Sequence, residues 1–365
     1  MTDFLYVHFL VLDLSDVLQV IVLGFIGGIL SGFIGSGGAF FMTPGMMNLG
    51  VPGAVAVASN ITHKFGKAMM GSRKHAEMGN VDKRVGAFMV LTSFIGVRIA
   101  VWINSSLFNL GGDGHGESKS AVSNLYISLV FVCVLSVVAL SILRDVLGSS
   151  KQEGAGPSRK IYDFLGTLNL PPTIQFPVSD VRVSLWIILL VGLVTGYLAG
   201  TIGVGGFIGV PAMIYVFGMP TAVAAGTELY VAMFMGGFGA LNYAFEGLVD
   251  LRLTMLMYLG SLVGIYIGAY GTKVVKEVMI RAVTSGIILL CVLSRGIAIP
   301  AYLRELGYVQ YNPTFDAYFN QASKVLLFAS GIAGVSVILA NVIKAYRNRM
   351  RVRATLGEGV ALEAK

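Results

Sequence analysis

Nine runs of about twenty apolar residues follow one another along the chain, each long enough to cross a hydrocarbon core about 30 Å thick at 1.5 Å per residue. They are Val17–Gly35, Gly53–Gly71, Val85–Ile103, Val122–Leu143, Val183–Ile202, Ala222–Tyr243, Leu253–Thr272, Ala282–Ile299 and Val325–Ile343. Only helices and closed barrels satisfy every backbone polar group in lipid, and runs of this length select helices. Of the 365 residues, 55% are hydrophobic and 12% charged, about half the charge a soluble surface carries. Trp102 and Trp186 stand at run ends, where an amphipathic ring suits the headgroup layer. The sequence therefore predicts an all-α polytopic protein with about 8–9 transmembrane spans, multi-pass in the cytoplasmic membrane. The formal charge of +7 fits basic cytoplasmic loops better than a nucleic-acid surface, so no nucleic acid is expected. Met1–Asp16 has neither a basic start nor a small-residue cleavage site, so the first span is expected to direct insertion itself.

The chain also repeats itself. A shift of 168 residues lays Gly24–Gly96 on Gly192–Gly264 without a gap, matching Gly28 with Gly196, Gly35 with Gly203, Gly37 with Gly205, Gly38 with Gly206, Pro52 with Pro220, Asp82 with Asp250 and Arg84 with Arg252. Shared apolar bias does not produce coincident Gly, Pro, Asp and Arg. The reading is a duplication: a first repeat at 17–143, a cytoplasmic linker at 144–182, a second repeat at 183–299, an additional helix at 323–343 and a basic tail at 344–365. Such repeats pack about a pseudo-two-fold axis with the substrate near the midplane. Basic residues gather at Arg73–Arg84, Arg144–Arg182, Lys273–Arg281 and the tail, while the connections between hold only Lys119, Arg252, Arg295 and Arg304. All four groups can be cytoplasmic only if 17–71 and 183–245 each cross an odd number of times, which makes the repeats inverted. Parallel four-plus-four repeats are the competitor.

What changes the parity is a glycine-broken helix in each copy. The motifs are SGFIGSGGAFFMTP and AGTIGVGGFIGVP. Gly24, Gly28 and Gly32, with their partners Gly192, Gly196 and Gly200, are spaced for close helix packing. The denser Gly35, Gly37 and Gly38, with Gly203, Gly205 and Gly206, each weaken a helix by about 1 kcal/mol and suit an unwound backbone; Pro44 and Pro211 are expected to reinforce the break. Unwound backbone at bilayer depth lines protein or a wet cavity, and the amide end of the following helix suits an anion.

The second span carries Asn60, His63, Lys64 and Lys67, and the third Arg98. Charges at that depth are expensive and usually face an interior path. Asn60 aligns with Glu228 and Ser59 with Thr227. The substrate-binding candidates are Gly35, Ser36, Gly37, Gly38, Ser59, Asn60, Lys64, Lys67, Gly203, Gly205, Gly206 and Thr227. Glu228 and His63 are the proton-coupling candidates. Snorkelling competes for the lysines, and helix-packing hydrogen bonds compete for the two hydroxyls. Asp82 and Arg84, with Asp250 and Arg252, read as repeated loop ends, capping a helix or pairing at the interface. Cys133 and Cys291 read as inert, and no metal, cofactor or nucleophile pattern occurs in the sequence.

The G-x-G-G motif with a following proline in both halves, then an Ala-rich helix ending in Ser59-Asn60 or Thr227-Glu228, resembles the sulfite exporter TauE/SafE family, also called toluene sulfonate uptake permeases. The resemblance covers about 17–297. It implies a multi-span permease with two homologous halves moving sulfite, sulfonates or related small anions. On that basis the expectation is a secondary transporter, an exporter, working by alternating access, with the lipid bilayer and a small anion as partners. An intramembrane enzyme and a non-transporting membrane partner are the alternatives. The ninth run, the basic tail and the loop Leu110–Ser120 fall outside the resemblance.

Overall fold

A computed structural model describes residues 13–34, 38–110, 117–149, 170–275 and 277–363. The helices are α1 (Leu14–Ile34), α2 (Ala39–Asn48), α3 (Gly53–Glu77), α4 (Lys83–Asn109), α5 (Glu117–Ser149), α6 (Leu185–Ile202), α7 (Gly206–Tyr215), α8 (Thr221–Phe245), α9 (Leu251–Val274), α10 (Glu277–Glu305) and α11 (Thr314–Glu363). Eight of them, among the described residues, are long and apolar enough to cross a membrane. The expected span Gly53–Gly71 forms the 25-residue α3 but is not one of those eight, because His63, Lys64, Lys67, Arg73 and Lys74 load it with charge. The ninth run lies inside α11, whose helix continues through Arg347, Arg349, Arg351 and Arg353 to Glu363. Expectations for Gly35, Ser36, Gly37 and most of the linker fall outside the described residues.

The 168-residue shift holds for the elements: α3 begins and ends at Gly53 and Glu77, α8 at Thr221 and Phe245. Asp82 and Asp250 cap α4 and α9 in the same way, each carboxylate accepting the N–H groups two and three residues on. This satisfies amides that the first turn leaves without intrahelical partners. The capping half of the sequence reading holds for both.

Packing crosses between the halves. α1 lies along α9, and α4 along α6, while α3 meets α8 and α5 meets α10. Glycines make the first two contacts possible. An added Cβ at Gly24 would meet the Met257 backbone, and one at Gly28 the Ser261 backbone, at 2.6 Å. Gly192 and Gly196 likewise abut the backbones of Met89 and Ser93. Without a side chain in the way, the backbones approach and dispersion contacts replace the hydrophobic drive that lipid does not supply.

Contact registers give helix directions. Ile61 packs on Gly239, Phe65 on Gly236 and Leu229 on Gly71, so α3 and α8 are antiparallel. Phe94 stacks on Phe238 at 4.5 Å, and Arg98 reaches Asn242 at 3.2 Å, so α4 and α8 are parallel. Thr254 bonds the Ser59 carbonyl and Tyr258 that of His63, so α9 runs with α3.

Two features depart from expectation. The end of the linker is no plain exposed strand of chain: Thr173–Phe176 (β1) pairs antiparallel with Val181–Ser184 (β2), Phe176 opposite Val181. Phe176 is buried beside Phe88, and Ser179 donates to the Asp82 carboxylate at 2.7 Å, so the hairpin is docked on the start of α4. Pro44 and Pro211 do not mark the breaks; they lie inside α2 and α7. A proline inside a helix costs one i→i−4 bond, which these ten-residue helices absorb.

Candidate functional site

α6 stops at Ile202, and α7 starts at Gly206, so Gly203, Val204 and Gly205 form a break among buried residues. Gly203 takes φ +78°, a left-handed conformation that glycine adopts without a Cβ penalty. It also has no room for one, since a Cβ would stand 2.9 Å from Asn60 Nδ2 and 3.0 Å from Thr43 Oγ1.

The two sides of this break are treated differently. Every carbonyl of the last turn of α6 is paired. Ala199 accepts from Gly203 N–H at 2.9 Å, Gly200 from Tyr243 Oη at 2.7 Å, Thr201 from Asn104 Nδ2 at 3.1 Å and Ile202 from Thr43 Oγ1 at 3.1 Å. On the other side, the main-chain N–H groups of Val204, Gly205, Gly206 and Phe207 find no acceptor among the described residues, although all four residues are buried. Buried backbone donors are nearly always paired. A helix start with free amides also carries about half a positive charge. This end of the break fits a negatively charged ligand.

Beside it, Glu228 of α8 faces the first turns of α7, its Oε2 occupying the space a Cβ on Gly209 would need. Glu228 is 2% exposed, and neither carboxylate oxygen has a hydrogen-bond partner. Lys64 of α3 is 7% exposed, and its Nζ is 3.9 Å from Glu228 Oε1. That separation allows attraction but exceeds hydrogen-bond length, and Nζ has no hydrogen-bond partner either. Thr195 Oγ1 on α6, buried next to Gly209, is also unpartnered. Unsatisfied polar groups gathered this deep make this the candidate functional position.

The sequence candidates separate into groups. Gly203, Gly205 and Gly206 form the break, and Gly38 caps the start of α2. Asn60 stands opposite, donating to Thr43 Oγ1 at 2.7 Å and to the Ala39 carbonyl at 3.1 Å, with its own Oδ1 unpartnered. Glu228 and Lys64 join at the centre. Ser59 and Thr227 sit one residue from Asn60 and Glu228 but turn to the opposite repeat's caps: Thr227 Oγ1 accepts the Asp82 N–H at 2.9 Å and Ser59 Oγ the Asp250 N–H at 3.3 Å. His63 turns toward α9, with Nε2 2.7 Å from Ser261 Oγ and its ring 4.5 Å from that of Tyr258. Lys67 is part-buried one turn beyond Lys64. Arg98 reaches the surface, 56% exposed at its side chain and paired with Glu246 at 3.8 Å. Gly35, Ser36 and Gly37 lie outside the described residues. Sequence reasoning missed Thr43, Asn104, Thr195 and Tyr243. Three of these secure the carbonyl side from other helices, a long-range role that no local pattern announces.

A polytopic helical bundle with a broken helix, α6–α7, beside a buried polar centre is the architecture expected of a membrane transporter. The chain belongs to the sulfite exporter TauE/SafE family, whose sequence profile matches residues 20–295. It is 25% identical over 255 residues to "Probable membrane transporter protein YjnA" of Bacillus subtilis, covering 69% of this chain and 89% of that one. It is 23% identical over 270 residues to "Probable membrane transporter protein YdhB" of the same organism, covering 72% and 93%. A "Probable membrane transporter protein" of Xylella fastidiosa is 39% identical over 83 residues, 22% of this chain and 31% of the relative. No solved structure is a significant match to the chain.

Proposed function

We propose that the chain exports a small anion, with sulfite and organosulfonates as the substrate class, across the cytoplasmic membrane by alternating access. The observation that carries this reading is the asymmetry of the α6–α7 break: carbonyls paired, amides unpaired. A cation site would need the reverse. The family's name supports sulfur oxyanions and outward movement. Glu228, against the first turns of α7 and beside Lys64, is placed to exchange a proton as the anion passes. No chemical reaction is assigned to the chain.

The test is sulfite flux into proteoliposomes. Wild-type protein is expected to give saturable flux, and Gly206→Pro, which deletes one free N–H and also disfavours the right-handed conformation of Gly205 (φ −55°, ψ −45°), should weaken sulfite half-saturation by at least roughly tenfold, the scale of one hydrogen bond to a charged group. Saturable flux of a cation with none of sulfite, or an unchanged half-saturation, removes the amides from the mechanism.

The opposed directions of α3 and α8 support inverted repeats, 17–143 and 183–299, with the basic segments in the cytoplasm. Single cysteines at Lys74 and Lys276 should then both react only from the cytoplasmic face; labelling from opposite faces overturns this topology.

A further inference from the structure

One turn of α3 is braced from outside its own helix. Tyr258 of α9 donates its hydroxyl to the His63 carbonyl at 2.7 Å, and the same oxygen accepts the Gly66 N–H at 3.2 Å. A tyrosine hydroxyl taken from water needs partners, and here both are backbone groups of one turn. The hydroxyl can sit there only because residue 66 is glycine: it fills the space a Cβ would take, with ring carbon Cζ 3.1 Å from that position. The neighbouring turns are held from the same side. Ser261 Oγ lies 2.7 Å from His63 Nε2, and Thr254 bonds the Ser59 carbonyl at 3.4 Å. α9 therefore grips α3 through residues 254, 258 and 261.

A grip on one face fixes the rotation of a helix about its axis. At 3.6 residues per turn, Lys64 points about 100° round from His63, where its Nζ comes 3.9 Å from Glu228 Oε1. At the radius of about 5–6 Å that side chains give a helix, a turn of about 10° carries a tip about 1 Å. That is enough to take this pair out of ion-pair range or bring it to hydrogen-bond length. The brace and the charge also come as a set. Under the repeat shift Lys64 corresponds to Ala232, Gly66 to Phe234 and Tyr258 to Val90. The half that lacks the lysine has neither the hydroxyl nor the opening for it.

We propose that Tyr258 is a positioning residue: its hydroxyl, seated on the Gly66 turn, sets the rotation of α3 and so the approach of Lys64 to Glu228. This deepens the coupling role given to Glu228 and rests on that reading for its effect on flux, but not for its effect on the pair.

The test uses the full-length protein, with Tyr258→Phe and Gly66→Ala as two routes to one loss. The first removes the hydroxyl and the second its seat, and alanine favours a helix over glycine. Lys64→Ala, Glu228→Ala and their double variant, followed by thermal unfolding in detergent, measure the coupling of the pair. Repeated in either altered background, that coupling should shrink toward zero. A merely structural tyrosine would lower every midpoint alike and leave the coupling intact. In proteoliposomes, Tyr258→Phe should lower maximal sulfite flux roughly tenfold, within the hundredfold that about 1 Å of misplacement can cost. Half-saturation should stay near wild type, because the amides of the α6–α7 break are untouched. Coupling equal to wild type in both backgrounds, or no coupling between Lys64 and Glu228 to begin with, overturns the proposal. Maximal flux equal to wild type in Tyr258→Phe overturns its bearing on transport. Absent sulfite flux in the wild type counts against the transport reading alone, and the coupling measurement still decides this one.

Discussion

Glu228→Gln is expected to abolish the pH dependence of sulfite flux while leaving the protein folded. The carboxyl is buried with both oxygens free of hydrogen bonds, against the first turns of α7, and it is the acid that approaches Lys64, at 3.9 Å. An amide keeps its shape and cannot change charge. Removing the acid outright, or the base, should cost more. Breaking a buried pair from one side leaves the other charge uncompensated, at about 3–5 kcal/mol. Glu228→Ala and Lys64→Ala should therefore each lower stability on that scale, and the double variant should recover much of the loss, because no orphan charge remains. The measurements are flux from about pH 5.5 to 8.5 and thermal unfolding in detergent. A pH profile equal to wild type in Glu228→Gln removes the residue from coupling. Strict additivity in the cycle removes the pair.

Gly28→Leu and Gly196→Leu are expected to be the most damaging substitutions far from the polar centre. At Gly28 a Cβ would meet the Ser261 backbone at 2.6 Å, and at Gly196 it would press on the Ser93 backbone. Backbone cannot swing aside as a side chain does, so α1 must part from α9, or α6 from α4. Overpacking of this kind costs about 1–3 kcal/mol, occasionally more, and here it also unseats the helix whose end forms the break. Gly286→Ala is the contrast, since nothing lies within 4 Å of the Cβ it would gain. Replacing a helical glycine with alanine favours the helix by about 1 kcal/mol. Thermal midpoints should fall for the two leucine variants and hold or rise for Gly286→Ala; equal midpoints would show that the close approaches are not what holds these helices together.

The helices were readable because their signal is local. A run such as Leu185–Ile202 can do little at that length but span, and glycines at intervals of four announced close contacts that α1–α9 and α4–α6 do make. The break at Gly203 was legible for the same reason, as its glycines act on their own backbone. What stayed hidden depends on partners far along the chain. Asn104 reads as an ordinary polar residue until it meets Thr201, and Tyr243 until it meets Gly200. Arg295 falls inside the expected span Ala282–Ile299 although it was counted with the connections; its burial depends on Asn48, which comes from another helix. Pro44 and Pro211 were expected to reinforce the breaks but lie inside the helices that follow them. The Phe176 hairpin was lost in a stretch whose prolines suggested only a tether.

The exchange of partners between α1–α9 and α4–α6 has a bearing on how such a machine can move. Each rigid pair takes one helix from either side of the linker, so a rocking motion cannot swing the two halves of the sequence as separate blocks. Whatever turns must turn as a hybrid, one strut from each half.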